Sequence, residues 1–182
     1  DKSLRELLQM VALMPMAIPG IVLGLAYIFF FNAKGNPLNF FYATMAILVV
    51  NTIVHFYTVS HLSAITAIKK LDDEFESVSL SLKIPTYKMF FRVTLPVCLP
   101  TVFDIFIYLF CNAMTTVSGV IFLYTYDTTL ASVSAIHLDE QGDVAGAAAM
   151  AMLIVYISFV VRGLHTIIST LLLKRTQAWR NI

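Results

Sequence analysis

The sequence predicts an all-α fold, a polytopic bundle of about four membrane-spanning helices with a short polar loop in its middle. Hydrophobic residues make up 59% of the 182 residues and charged residues only 13%, whereas a soluble domain carries about 25% charged residues. So few charges cannot cover a water-facing surface, and lipid must supply much of the solvent. Four windows also reach the roughly 20 apolar residues that a membrane helix needs. The net charge of +1 gives no indication of a nucleic-acid partner.

The four windows cover residues 7–31, 40–62, 99–124 and 145–173. The turn-rich stretch "NAKGNPLN" separates the first two, and "YDTTLASVSAIHLDEQGD" separates the last two. We interpret residues 1–182 as a single transmembrane domain. Because the chain opens "DKSLRELLQM" without an initiator methionine, we expect it to be a fragment of a longer protein.

The distribution of basic residues predicts which side of the membrane each loop faces. Ten of the twelve basic residues lie in the N-terminal tail, the loop between the second and third windows, and the C-terminal tail. The two other loops hold only Lys34, and Arg162 lies inside the fourth window. Since basic loops stay in the cytoplasm, we expect both termini and the loop at 70–96 to be cytoplasmic.

The first window contains Pro15 and Pro19, four residues apart, together with Gly20 and Gly24. Each proline removes a helix hydrogen bond, and two glycines at this spacing let another helix approach closely. The pattern is compatible with a packing kink and with a hinged or broken helix.

The loop at 70–96 has the pattern of two short helices. Four apolar residues recur at helical spacing, and Lys83 lies near the end of that stretch, where the helix dipole favours a cation. We expect Pro85 to end the first helix and to lie near the start of the second, and Pro96 to end the second. The loop is either a connector on the membrane surface or a helix presented to a cytoplasmic partner. The apolar residues are Leu71, Phe75, Val78 and Leu82.

A polar stripe follows one face of the third window. Its members recur at helical spacing, so all point to the same side, and because polar side chains avoid lipid, that side faces another helix or water. Two interpretations stay open: hydrogen bonds between helices, or the lining of a path through the membrane. The stripe comprises Asp104, Tyr108, Asn112, Thr115, Thr116 and Gly119, of which the last four are the candidate path-lining residues.

Two charges lie inside the predicted spans, Asp104 in the third and Arg162 in the fourth. A charge at the centre of a membrane helix costs at least ~2.5 kcal/mol. We therefore expect Asp104 and Arg162 to face each other or a wet cavity; in the alternative, Arg162 extends its charge to the interface. The four histidines and two cysteines show no metal-ligand spacing, so no metal site is expected.

The stretch "FESVSLSLKIPTYKMFFRVTLP" resembles the cytoplasmic loop of ABC-importer permeases. That loop reads Glu-Ala-Ala, three residues, Gly, nine or so residues, then Ile-x-Leu-Pro. Leu95 and Pro96 match the closing pair, with Val93 at the position of the Ile. The departures lie in the opening half: Ser77, Val78 and Ser79 at the Glu-Ala-Ala positions directly after Glu76, and Lys83 at the glycine position.

The resemblance implies a type I ABC importer permease architecture, of the methionine-permease-like fold, in a bacterial inner membrane. Two permease halves or copies would form the path, and a periplasmic substrate-binding protein would deliver the substrate. Cytoplasmic ATPase subunits would drive the cycle with ATP and Mg. The chain has no G-x-x-x-x-G-K-[ST] sequence, so we expect a transport subunit that is not an enzyme and holds no cofactor.

The resemblance also implies a substrate and a set of coupling residues. The stretches "IYLFCNAMTTVSGVIFLYT" and "LASVSAIHLDEQGDVAGAAAMAML" are similar to permeases for phosphonates. An organophosphonate such as 2-aminoethylphosphonate is therefore the expected substrate, and iron(III) is the alternative. The implied coupling residues are Phe75, Glu76, Ser77, Val78, Ser79, Leu82, Lys83, Pro85, Tyr87, Leu95 and Pro96.

Two other classes of function compete with this interpretation. A channel or structural membrane subunit would use no ATPase and would not need the Leu95-Pro96 loop. An intramembrane aspartyl protease would need two facing acids within spans, and only Asp104 lies clearly inside one.

Overall fold

The structure, a computed structural model, describes residues 2–71 and 73–176, and every regular element in these ranges is helical. The predicted all-α fold is confirmed. Side chains are described except at positions 2, 73, 74, 76 and 172–176. The α-helices are α1 (Lys2–Ala17), α2 (Gly20–Phe31), α3 (Met45–His55), α4 (Tyr57–Lys69), α5 (Asp73–Ser81), α6 (Thr86–Met89), α7 (Leu95–Thr115), α8 (Ala131–Glu140) and α9 (Val144–Thr176).

Two helical stretches are long and apolar enough to cross a membrane alone. They are Thr86–Thr115 and Val144–Leu171, with mean hydropathies of 1.9 and 2.4. The bent pairs α1–α2 and α3–α4 pass the same test if each pair counts as one span. The described residues therefore provide two to four spans. Large apolar side chains on α9 are open to the surroundings, such as Phe159 at 78% exposed, as expected of a surface that lipid covers.

The chain divides into two compact units. The first comprises the described residues of 1–59 and 109–160, and the second those of 60–108 and 161–176. The first unit has an apolar core, and partly buried aromatic residues of α2 pack against it. The buried core residues are Ile47, Leu48, Val120, Leu123 and Val133.

The window at 7–31 is not one straight helix. α1 and α2 meet at 105°. Pro19 has no N–H to bond the preceding turn, and it disfavours helical geometry at Ile18. Helix bonding restarts with the amide of Leu23, which donates to the Pro19 carbonyl oxygen at 3.1 Å.

The window at 40–62 differs from the observed helices at both ends. Residues 39–41 form a 3-10 turn, α3 begins at Met45, and α4 continues to Lys69. The two helices are bent by 56° at Phe56. The backbone of Phe56 leaves the helical region, with φ −98° and ψ 9°.

The loop at 70–96 continues into the third span without a break. α6, a π-helical turn at Phe90–Thr94 and α7 together form the 30-residue helix Thr86–Thr115. Pro96 was predicted to end a helix, and that prediction is wrong. Proline lacks an N–H and its ring crowds the carbonyl one turn earlier, and the wider π turn directly before it accommodates both.

The helix of the third window, α7, ends at Thr115 rather than at the predicted Tyr124. The Thr115 hydroxyl donates to the carbonyl oxygens of Cys111 at 3.1 Å and Asn112 at 3.4 Å, in competition with the backbone ladder. The apolar residues that follow are packed inside the protein, with Val120 0% exposed. Hydropathy cannot distinguish burial in protein from burial in lipid, so the window extended too far.

Two helices lie in the last part of the chain. α8 occupies the predicted loop between the third and fourth windows and ends at Glu140, two residues before Gly142, which has φ +82°. Its end is a Schellman motif, since the amide of Asp143 donates to the Leu138 carbonyl oxygen and that of Gly142 to Asp139, both at 2.9 Å. α9 then runs through the whole window at 145–173.

Candidate functional site

A closed turn joins the two helices of the loop at 70–96. The amide of Ile84 donates to the Ser79 carbonyl oxygen at 2.9 Å, and that of Lys83 donates to Leu80 at 3.0 Å. These two bonds make a Schellman motif at the end of α5. Lys83 takes its left-handed position with φ 52°, which is the geometry that favours glycine. This is the position at which the ABC-permease pattern has its glycine, so the turn is kept although the residue differs.

A cavity opens beside this turn, between α5 and the start of the long helix. Its volume is about 480 Å³. Its lining combines apolar side chains with three basic ones, and Pro85, at the start of α6, closes one part of the wall. We call it the loop cavity. The lining residues are Phe75, Val78, Ser79, Lys83, Ile84, Pro85, Lys88, Met89, Arg92 and Val93.

The structure brings together about half of the predicted coupling residues. Leu82 and Tyr87 are exposed at 65% and 61% and lie outside the lining of the loop cavity, as do Leu95 and Pro96 at the start of α7. Ser77 lies on α5, and the side chain of Glu76 falls outside the described residues. Contact with an ATPase stays a prediction for all of them. Those lining the cavity are Phe75, Val78, Ser79, Lys83 and Pro85.

A buried side-chain amide bonds the backbone that follows the end of α7. Asn51 on α3 is 0% exposed, and its Nδ2 donates to the Gly119 carbonyl oxygen at 2.8 Å. The hydroxyl of Ser132 donates to the Thr116 carbonyl oxygen at 2.7 Å. Non-helical backbone at membrane depth is tolerated only where its polar groups are satisfied, and these two side chains satisfy two carbonyls of the 116–119 turn.

Two glycines of α2 let this turn approach closely. A Cβ at Gly20 would lie 2.7 Å from the Ser118 hydroxyl, and a Cβ at Gly24 would lie 2.8 Å from the Gly119 carbonyl oxygen. Contacts this short are not formed by real Cβ atoms. The element that uses the glycine pair is therefore a turn of backbone rather than another helix.

The polar stripe of the third window stops where α7 stops. Asn112 is partly buried and Thr115 exposed on α7, whereas Thr116 and Gly119 follow its end. Gly119 is buried against Asn51 and does not continue the helical face. The lining of a path by these residues stays a prediction.

The intramembrane acid lies beside a histidine. In the second unit, Asp104 Oδ1 is 3.1 Å from His165 Nε2, and the His165 side chain is 13% exposed. The two atoms lie at ion-pair distance without the angular geometry of a hydrogen bond. Arg162, three residues earlier on α9, is exposed. The structure therefore brings Asp104 to His165, and the pairing of Asp104 with Arg162 stays a prediction.

Sequence reasoning missed Asn51, Ser132 and His165. Asn51 interrupts the apolar run "MAILVVNTIVHF", and a polar residue inside a span is by itself a signal of an interior contact. His165 lies one helical turn from Arg162, a spacing that could have made it an alternative partner for Asp104.

Comparison with protein families gives one match that covers most of the chain. The family described as "Binding-protein-dependent transport system inner membrane component" matches residues 1–174.

Ferric transport permeases are among the curated relatives. The chain is 27% identical over 157 residues to the ferric transport system permease protein FbpB of Actinobacillus pleuropneumoniae, covering 86% of this chain and 22% of that protein. It is 32% identical over 124 residues to the putative ferric transport system permease protein FbpB 1 of Haemophilus influenzae, covering 68% and 19%. It is 28% identical over 92 residues to the putative ferric transport system permease-like protein AfuB of Escherichia coli K12, covering 50% and 77%.

The chain thus spans about a fifth of the length of the first two relatives. The names of all three refer to ferric transport and none refers to a phosphonate. The expected organophosphonate substrate is therefore not supported, and the iron(III) alternative agrees better with these relatives.

Proposed function

The chain belongs to the family of binding-protein-dependent transport system inner membrane components, and from this premise we propose that it is part of the permease of an ATP-driven importer of iron(III). In this proposal the helices supply part of the path across the inner membrane. A periplasmic binding protein presents iron(III), and a second permease half or copy completes the path. Two cytoplasmic ATPase subunits hydrolyse ATP with Mg and drive the change between the two faces.

The loop cavity is the observation that carries the proposal. A loop that only connected two spans would not need a Schellman turn, a proline-initiated helix and a cavity of about 480 Å³ beside exposed side chains. The second helix of the loop is also continuous with α7. A partner that moved α6 would therefore move a membrane helix without an intervening flexible segment.

The first experiment tests the coupling in the full-length parent protein, reconstituted with its ATPase. We expect Phe75→Ala with Val78→Ala, which removes two apolar walls of the loop cavity, to lower ATPase binding and permease-stimulated hydrolysis at least about tenfold, the size of one lost interfacial anchor. Leu80→Ala is the matched control, because Leu80 is 71% exposed on the same helix and does not line the cavity. If both variants insert normally and hydrolyse ATP like wild type, the loop is a connector and a channel or structural role takes its place.

The second experiment tests the substrate. Proteoliposomes with the complete importer and its binding protein are given radioactive iron(III) or 2-aminoethylphosphonate, with and without ATP. We expect ATP-dependent accumulation of iron(III) alone. ATP-dependent accumulation of the phosphonate would refute the substrate and leave the importer proposal standing.

A further inference from the structure

A second cavity of different chemistry lies in the second unit, between α4 and the long helix that contains the π turn. It is open at the surface and holds about 140 Å³. Among the described residues no charged side chain lines it, and the residues of its walls are almost all apolar. We call it the apolar groove. One wall is α4, with Ala64, Ala67 and Ile68, and the other includes Phe90, Leu95 and Ile105.

The apolar groove has the shape and the surroundings of a site for hydrocarbon. Its second wall runs from Leu95 to Ile105, which corresponds to about 15 Å along a helix. An apolar cavity of roughly this volume stays dry and accepts a small hydrocarbon such as benzene. Both walls belong to helices that meet the length and hydropathy requirements of membrane spans, alone or as a bent pair. With both helices in a membrane, the medium at the mouth of the groove is lipid.

Two basic residues follow one wall of the apolar groove at the same end. Lys69 and Lys70 come directly after the lining residue Ile68 at the end of α4. Both lysines are exposed. The other end, near Ile105, has no basic residue within one helical turn on α7. The groove thus combines apolar walls with a positive end. A lipid with an apolar chain and a negative headgroup is complementary to both features.

We propose that the apolar groove binds a segment of one acyl chain of an anionic phospholipid, whose phosphate lies at Lys69 and Lys70. Clusters of basic residues at a membrane surface attract anionic lipid headgroups. Ammonium groups bind phosphate through charge-assisted hydrogen bonds. The acyl chain fills a groove that would otherwise leave apolar walls without packing partners. This site is a property of the folded chain in a membrane, and it does not depend on the transported substrate.

Lipid binding tests this directly in the purified, delipidated full-length protein. Native mass spectrometry would compare phosphatidylglycerol with phosphatidylcholine of the same acyl chains. We expect the wild type to retain phosphatidylglycerol selectively. Lys69→Gln with Lys70→Gln is expected to weaken phosphatidylglycerol binding roughly fivefold for each lysine and to leave phosphatidylcholine binding unchanged. Lys34→Gln, a basic residue in another loop, is the matched control and should change neither.

A groove-filling variant and a thiol probe test the acyl-chain part. Ala67→Trp should weaken the binding of both lipids, because its side chain occupies the groove. Since that variant risks misfolding, Cys98 provides an independent readout in the otherwise unchanged chain: it lines the groove, so phosphatidylglycerol should slow its alkylation by an apolar maleimide. The charge variant should lose this protection, while Lys34→Gln should keep it.

Equal retention of the two lipids by wild type, unaffected by the lysine changes, would overturn the proposal. Formation of a Cys98–Cys98 cross-link between two copies would also overturn it, because a second copy of the chain would then cover the groove. Failure of iron(III) uptake in the transport assay leaves the lipid site unaffected, so the two proposals fail separately.

Discussion

Asn51 occupies a position at which one half of its amide is used and the other half is not. Its Nδ2 bonds the Gly119 carbonyl oxygen at 2.8 Å, whereas Oδ1 is buried and has no hydrogen-bond partner in the described part of the chain. A buried polar atom without a partner costs roughly 1–3 kcal/mol. The residue is therefore retained for the carbonyl that it satisfies rather than for its own net stability.

Removing this amide should destabilise the first unit. Asn51→Ala leaves the Gly119 carbonyl unsatisfied, and we expect a loss of about 1–3 kcal/mol. Asn51→Asp should cost more, because it turns a carboxylate toward a carbonyl in a buried site. Thermal unfolding of the full-length protein in detergent measures both. The control is Thr170→Val, whose hydroxyl makes an exposed bond within α9; an Asn51→Ala protein as stable as this control would contradict the assignment.

Two glycine-to-alanine substitutions should change the stability of the protein in opposite directions. Gly24→Ala places a Cβ 2.8 Å from a backbone oxygen, and we expect overpacking to cost about 1–3 kcal/mol. Gly163→Ala lies in α9 with nothing within 4 Å of the new Cβ, and the better helix propensity of alanine should stabilise by about 0.5–1 kcal/mol. The measurement is the shift of each unfolding midpoint. Shifts of the same sign would show that the glycine contact on α2 is looser than described.

At the scale of elements, the turn at Lys83 has a backbone geometry that favours glycine, although the residue there is lysine. A non-glycine residue in the left-handed region costs about 1–2 kcal/mol. Lys83→Gly should therefore keep or raise the stability of the loop. Lys83→Val should lower it, because a β-branched side chain is disfavoured at positive φ. Hydrogen exchange of the Lys83 and Ile84 amides reports both changes, and faster exchange in Lys83→Gly than in Lys83→Val would contradict the Schellman assignment.

The helices were predictable in kind, and their interruptions were not. The apolar windows and the helical spacing of the apolar residues in the loop at 70–96 predicted membrane helices and a helical loop, because these depend on local periodicity. The end of α7 depends on Asn51 and Ser132, which lie 68 and 16 residues away from their acceptors. The contact of Asn51 with Gly119 lies far outside a window of about 20 residues, and mean hydropathy does not register the hydrogen bond of Ser132 either, which is why the sequence predicts 116–124 as part of a span.

At the scale of the whole molecule, the bent pairs decide the topology. If α1–α2 and α3–α4 are each one span, Lys34 and Lys70 lie on opposite sides of the membrane. Lys34→Cys and Lys70→Cys, in a parent without other reactive thiols, should then react with a membrane-impermeant maleimide from the periplasmic and the cytoplasmic side, respectively. Reaction of both from the same side would show that the pair α3–α4, bent by 56°, does not cross the membrane as one span.

The site was predictable at the loop and less so in the membrane. The Leu95-Pro96 ending, a pattern continuous in sequence, pointed to the permease family to which the chain belongs, while the coupling role of the loop stays a prediction. The sequence did not reveal the partner of Asp104, because Asp104 and His165 lie on two different helices. Which faces of two helices meet depends on the rotation of each helix about its axis, and no local pattern specifies that rotation.

The π-helical turn at Phe90–Thr94 has a consequence for how chains of this kind differ in length. A π turn is an α-helix that contains one extra residue, and both of its ends remain in register with ordinary helix. A deletion of a single residue here would restore a regular helix and rotate everything before it by about 100°. The turn is therefore the place in the third helix at which a one-codon gap between homologous genes can be accommodated, and such a gap would turn the loop cavity to a different side of the molecule.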